Sequence, residues 1–189
     1  MKRVGIFSGS FNPVHIGHLA LANWLCEYEN LSEVWFLVTP RSPLKQEHPM
    51  MDFSHRCEMV KAAVAGYPRF RVSDFEQHLP QPPYTIHTLR ALKENFPEHL
   101  FHLIVGADNW EIMEQWKDMP SLIEEFPVLI YPRPGYNRPV PPHQTGVRRV
   151  DAPLLDISSS FIRRALAEGR DIRFFLPEAV RGMVNNLRV

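Results

Sequence analysis

Apolar positions along the chain follow two alternating patterns: short unbroken runs, and longer stretches with apolar residues three and four apart. The first run, residues 4–7, is closed by Ser8, Gly9 and Ser10 and predicts a buried strand ending in a tight turn. After Pro13 and Gly17 the stretch HLALANWLCEYE has helical spacing. SEVWFLVTP then predicts a second buried strand, and residues 40–49 a loop rich in proline and charge. SHRCEMVKAAVAG predicts a helix with Ser54 as N-cap and Gly66 beyond its end. RFRVSDF predicts a strand, and TIHTLRALKENF a helix stopped by Pro97.

LFHLIVG predicts another strongly buried strand, ending at Gly106 and followed by a helical stretch to about Gln115. FPVLIYP predicts a strand, and the proline-rich PRPGYNRPVPPHQTG a surface loop. VRRVDAPLL is a weaker strand, SSSFIRRALAEG a capped helix, and PEAVRGMVNNLR a last helix with Pro177 in its first turn. Strands alternating with helices predict an α/β fold: a Rossmann-like, doubly wound, mostly parallel sheet with helices on both faces. The organisation expected is one domain over residues 1–189, with a small helical C-terminal part from about residue 156. In such sheets ligands bind beyond the carboxyl ends of the strands. Residues 8–18, 39–45 and 106–108 therefore hold the candidate chemistry.

Composition narrows the classes. Lys plus Arg and Asp plus Glu balance at 21 each, which argues against a nucleic-acid-binding surface. The two cysteines, Cys26 and Cys57, suggest a reducing compartment and no disulfide framework. The opening MKRVGIFSGSF lacks the length of a signal peptide, and no apolar run is long enough to span a bilayer. A cytoplasmic enzyme without membrane partners is the expectation.

The richest segment is SGSFNPVHIGH, residues 8–18. Gly9 allows the backbone to approach a ligand closely. Gly17 and His18 fall at a helix start, where free N–H groups favour an anion. His15 and His18 are three apart and can face one phosphate chain. Their role there is to donate hydrogen bonds, since a phosphate monoester is already ionised at neutral pH. A zinc reading of the pair lacks a third ligand at suitable spacing. A second segment, ISSSFIRRAL at residues 157–166, puts Arg163 and Arg164 in the first turns of a helix, suited to clamping a polyphosphate.

Residues 8–18 resemble the GxFxPxHxGH signature of the HxGH nucleotidyltransferase superfamily, and residues 157–163 resemble its ISSTxIR motif. PYTIHTL at 83–89, VGADNWEIMEQW at 105–116 and YPRPGY at 131–136 resemble the SYTxxTL, IGADxxxxxxxW and xxRPGY segments of bacterial nicotinate-nucleotide adenylyltransferases, with SPLK at 42–45 in the place of PPHK. The departures are Ser8 for the first glycine of GGTF, Leu44 for the histidine of PPHK, and His87 for an acidic or amide residue. Ser8 is tolerable only if that position does not need a positive φ.

The resemblance implies transfer of AMP from ATP to nicotinate mononucleotide, with Mg²⁺ carried mainly by phosphate oxygens and water. The alternatives are another acceptor, nicotinamide mononucleotide or phosphopantetheine, or a non-catalytic nucleotide-binding module. It implies that Gly9, Ser10 and Phe11 underlie the reacting phosphates. His18 would donate to the α-phosphate, and His15, Arg163 and Ser160 would hold the outer phosphates. Gly106 and Asp108 would take the ATP ribose, and the backbone at Ile157 and Ser158 the adenine. Thr85, Trp116 and Arg133 would lie at the pyridine end, with Lys45 near the mononucleotide phosphate.

Overall fold

The computed structural model describes residues 1–40 and 50–184. Within these residues six strands form one fully parallel sheet. They are β1 (Lys2–Gly9), β2 (Glu33–Val38), β3 (Phe70–Ser73), β4 (His99–Gly106), β5 (Val128–Tyr131) and β6 (Val147–Arg149), in the order β3-β2-β1-β4-β5-β6. β1 pairs with both β2 and β4, so the strand order reverses between β1 and β4. A crevice opens beyond the strand ends at such a reversal.

The sheet is buried on both sides, which is why its strands read as unbroken apolar runs. Alternate residues serve opposite faces. Val34, Phe36 and Val38 pack in one core with α1 (Ile16–Tyr28), α2 (Phe53–Val64), α6 (Ser159–Ala167) and α7 (Glu178–Arg181). Trp35 and Leu37 pack in the other with α3 (Thr85–Asn95), α4 (Ala107–Glu111) and α5 (Met119–Glu125). The C-terminal segment joins the first core through Ile162, Ala165, Ile172, Leu176 and Val180.

Several local expectations need correction. α2 is capped by Asp52, whose carboxylate accepts from Ser54 N at 2.9 Å, so Ser54 lies inside the helix it was expected to cap. A carboxylate matches a helix N-terminus better than a hydroxyl. The stretch after Gly106 splits at Ile112 into α4 and a 3₁₀ turn, Met113–Gln115. α5 was not anticipated; it starts with Pro120 in its first turn after Asp118 at φ 50°. β6 is confined to three residues. The last helix, expected over residues 177–188, is described as the four-residue α7, and residues 185–189 lie outside the described part. Among the described residues no helix is long and apolar enough to cross a membrane.

Candidate active site

The loop leaving β1 is built around Phe11. Its φ of 44° is the positive value at this turn, a conformation that costs a residue with a side chain about 1–3 kcal/mol. Its ring folds back so that a Cβ on Gly9 would stand 3.3 Å from Cζ. A side chain at Gly9 would crowd that ring, while Phe11 makes the turn. Ser8 is ordinary strand, as the departure at this position requires, and its hydroxyl meets the Thr39 hydroxyl at 3.0 Å.

His15 is the N-cap of α1, and its backbone N–H donates to His18 Nδ1 at 3.2 Å. That bond assigns the neutral His18 tautomer: Nδ1 accepts, and Nε2 carries the proton. The two imidazoles stack with centroids 3.7 Å apart. Burial lowers the His15 pKa to about 3, helped by the nearby Arg133 guanidinium. Burial, with His15 and Arg133, also holds His18 well below the usual histidine range. Both rings are therefore neutral donors at neutral pH. His15 Nδ1 is buried without a hydrogen-bond partner. A Cβ on Gly17 would sit 3.1 Å from that atom, so glycine between the histidines leaves the ring its space.

From the other end of the chain, Ser158 caps α6 by accepting from Phe161 N at 3.1 Å. Ser159 Oγ donates to Pro13 O at 2.9 Å. Arg163 donates through Nη1 to Asn12 O at 2.8 Å and through Nη2 to Ser160 Oγ at 3.2 Å. Two segments 151 positions apart are thus tied into one wall.

Two chambers open beyond the strands. One, of about 520 Å³, is bounded by His15, His18, Asp108, Ser158, Ser160 and Arg163. The other, of about 310 Å³, is bounded by Thr85, Trp116, Gly106, Thr39 and Glu76. They share a floor of Ser8, Gly9 and Ser10, with Phe7, Asn109 and Tyr131. A small crevice beside the histidines is lined by Gly17, Leu21, Pro153, Leu155 and Ile157.

Most of the expected residues gather here, in two groups. Gly9 and Ser10 form the shared floor; Phe11, His15, His18, Asp108, Ser158, Ser160 and Arg163 line the larger chamber, and Thr85 and Trp116 the smaller. Gly106 borders the smaller chamber, and a Cβ there would fall 2.2 Å from Asp108 Oδ1. Gly106 was expected with Asp108 at the ATP ribose but borders the other chamber, and Arg133 is a second departure. It was expected with Thr85 and Trp116, yet it lines the larger chamber, with Nε 3.8 Å from Asp108 Oδ1 and its guanidinium over the Tyr131 ring. Arg133 opens a tight turn, in which Tyr136 N donates to Arg133 O at 3.3 Å and Gly135 takes φ 83°. Lys45 and Leu44 lie outside the described residues.

A family model described as cytidylyltransferase-like matches residues 6–165. The chain is 53% identical over 178 residues to a Bacteroides fragilis protein named "Probable nicotinate-nucleotide adenylyltransferase", covering 94% of this chain and 89% of the relative. It is 47% identical to a protein of the same name from Azobacteroides pseudotrichonymphae, over 98% of both chains. The chain belongs to the nicotinate-nucleotide adenylyltransferase family, within the cytidylyltransferase-like group. Its fold also matches a solved Plasmodium falciparum nicotinic acid mononucleotide adenylyltransferase complexed with NaAD. That match has a TM-score of 0.80 and 20% identity, covering 97% of this chain and 95% of the other.

Two residues of this family member escape sequence reasoning. Arg56 on α2 is 1% exposed and donates to four carbonyls: Met51 at 3.1 Å, Ser10 at 2.6 Å, Thr39 at 2.9 Å and Pro40 at 3.0 Å. It pins the ends of β1 and β2 beneath the shared floor. Glu76, 3% exposed, borders the smaller chamber. Neither has a local motif: an arginine in an amphipathic helix and a glutamate after a strand both read as solvated surface.

Proposed function

We propose that this chain transfers the adenylyl group of ATP to nicotinate mononucleotide. A 5′-phosphate oxygen of the mononucleotide attacks the α-phosphorus, the bond to the β-phosphate oxygen breaks, and pyrophosphate leaves with formation of deamido-NAD. The observation carrying this reading is the pair of chambers on one floor. Two substrates held in separate chambers bring their phosphates together over Ser8, Gly9 and Ser10. Alignment of this kind, with charge stabilisation, suffices for phosphoryl-type transfer without a covalent enzyme intermediate.

In this reading the triphosphate lies in the larger chamber. His18 Nε2–H donates to the α-phosphate, and His15, Ser160 and Arg163 hold the outer phosphates. Asp108 takes the ribose, and the crevice at Gly17 and Ile157 takes the adenine. Arg133, beside Asp108, serves the nucleotide. The pyridine ring lies in the smaller chamber against Trp116. Its carboxylate faces the start of α3, where the N–H groups of Thr85 and the next residues precede the intrahelical ladder. ATP enters as its complex with a divalent cation, magnesium in this reading, carried by phosphate oxygens and water. The reaction belongs in the cytoplasm, in keeping with two free, buried cysteines.

The test compares kcat/KM for nicotinate mononucleotide, nicotinamide mononucleotide and phosphopantetheine at saturating ATP. The acid is expected to lead the amide by roughly 5- to 150-fold, the value of one unpaired buried donor. Equal values, or preference for another acceptor, would overturn the assignment.

A further inference from the structure

The wall of the smaller chamber carries a carboxyl group that the proposed chemistry does not use. Glu76 lies in a short 3₁₀ turn, Phe75–His78, between β3 and α3. Its Oε1 accepts from Thr88 Oγ1 at 3.2 Å, and Oε2 is buried with no hydrogen-bond partner. Thr88 lies one helical turn after Thr85, and Glu76 and Thr85 line the same chamber, in which the pyridine substituent is placed above. Its other polar neighbour is Thr39, at the end of β2. The charged and titratable groups on the same wall are Tyr84, Lys117 and Tyr131, and its own segment carries Asp74 and His78.

We propose that Glu76 sets how strongly the smaller chamber prefers an acid over an amide on the pyridine ring, the preference being greatest while its own side chain is neutral and weaker once it is ionised. The inference rests on the pyridine end lying in this chamber. A neutral carboxyl can donate a hydrogen bond to a substrate carboxylate. An ionised one repels that carboxylate and instead accepts from a carboxamide N–H₂. Burial raises the Glu76 pKa to about 7, against the lowering effect of the Thr39 and Thr88 hydroxyls. The switch therefore falls within the working pH range.

The experiment measures the ratio of kcat/KM for nicotinate mononucleotide to that for nicotinamide mononucleotide from about pH 6 to about pH 8.5. Titration of the histidines or of the 5′-phosphates acts on both acceptors and cancels in the ratio. The wild-type ratio is expected to fall by about tenfold or more over this range, since loss of one proton can change it by up to about tenfold per pH unit. Glu76→Gln, which cannot ionise, should give a flat profile. Thr88→Val removes a donor to the ionised form and should move the fall to higher pH. A pH-independent wild-type ratio, or a Gln variant that keeps the wild-type slope, would overturn the proposal. Failure of both mononucleotides to accept AMP at any pH would instead remove the proposed function beneath it.

Discussion

The imidazoles of His15 and His18 stack 3.7 Å apart with their planes 26° from parallel, and the His15 backbone N–H holds His18 Nδ1. His15 thus fixes the His18 ring, and in the proposed reaction His18 would offer its Nε2–H from a ring already held in place. Such preorganised donors act on charge as it develops, with little reorganisation at the moment of reaction.

His18→Ala should therefore lower kcat by roughly 10²–10³ while weakening ATP binding much less. Single-turnover rates alongside equilibrium ATP titration separate the two effects. Near-normal turnover would remove His18 from the chemistry.

Arg163 contacts Asn12 O and Ser160 Oγ with different guanidinium nitrogens. A lysine carries one point charge and cannot reproduce the fork. Arg163→Lys is expected to lose at least about tenfold in kcat/KM for ATP, the value of about 1.4 kcal/mol, with only a small fall in melting temperature, since Ser159 also ties the two segments together. Full activity in the variant would reduce Arg163 to a surface charge.

Arg56 gives a prediction about stability. Its removal leaves carbonyls of Ser10, Thr39, Pro40 and Met51 without their donor. At about 1–3 kcal/mol for each group left buried and unsatisfied, Arg56→Met should destabilise by more than about 3 kcal/mol even if water reaches some of them. Urea unfolding monitored by circular dichroism measures this. A loss below about 1 kcal/mol would mean that the four bonds contribute little.

Trp116 borders the smaller chamber and also packs against the second core. Trp116→Ala should raise KM for the mononucleotide strongly and that for ATP hardly at all. Equal damage to both would identify it as core alone.

How far the sequence revealed this arrangement depends on whether a residue's reason is local. The apolar runs of β1, β2 and β4 mark strands buried on two faces, and the parallel order follows from the helices between them. Gly9, Gly17, His15 and His18 stand out because a strand, a turn and a helix start lie within eleven residues. Arg56 is illegible because its four acceptors come from three other places in the chain, at Ser10, at Thr39 and Pro40, and at Met51. Glu76 becomes a buried acid only when Thr39 and Thr88 close around it. Arg133 shows the intermediate case: RPGY predicts its turn, but the side chain's chamber depends on its contacts with Asp108 and the Tyr131 ring, which no local pattern announces. Asp52 and not Ser54, two residues on, caps α2; both types cap helices, and the spacing alone does not choose between them.

The central claim is adenylyl transfer across the floor shared by the two chambers. Its most direct test incubates the protein with magnesium, nicotinate mononucleotide and ATP labelled at the α-phosphate, and follows the label chromatographically. The account predicts that the label appears in a dinucleotide, deamido-NAD, with one unlabelled pyrophosphate released for each molecule formed. Label remaining in ATP, or released as AMP without dinucleotide, would contradict it.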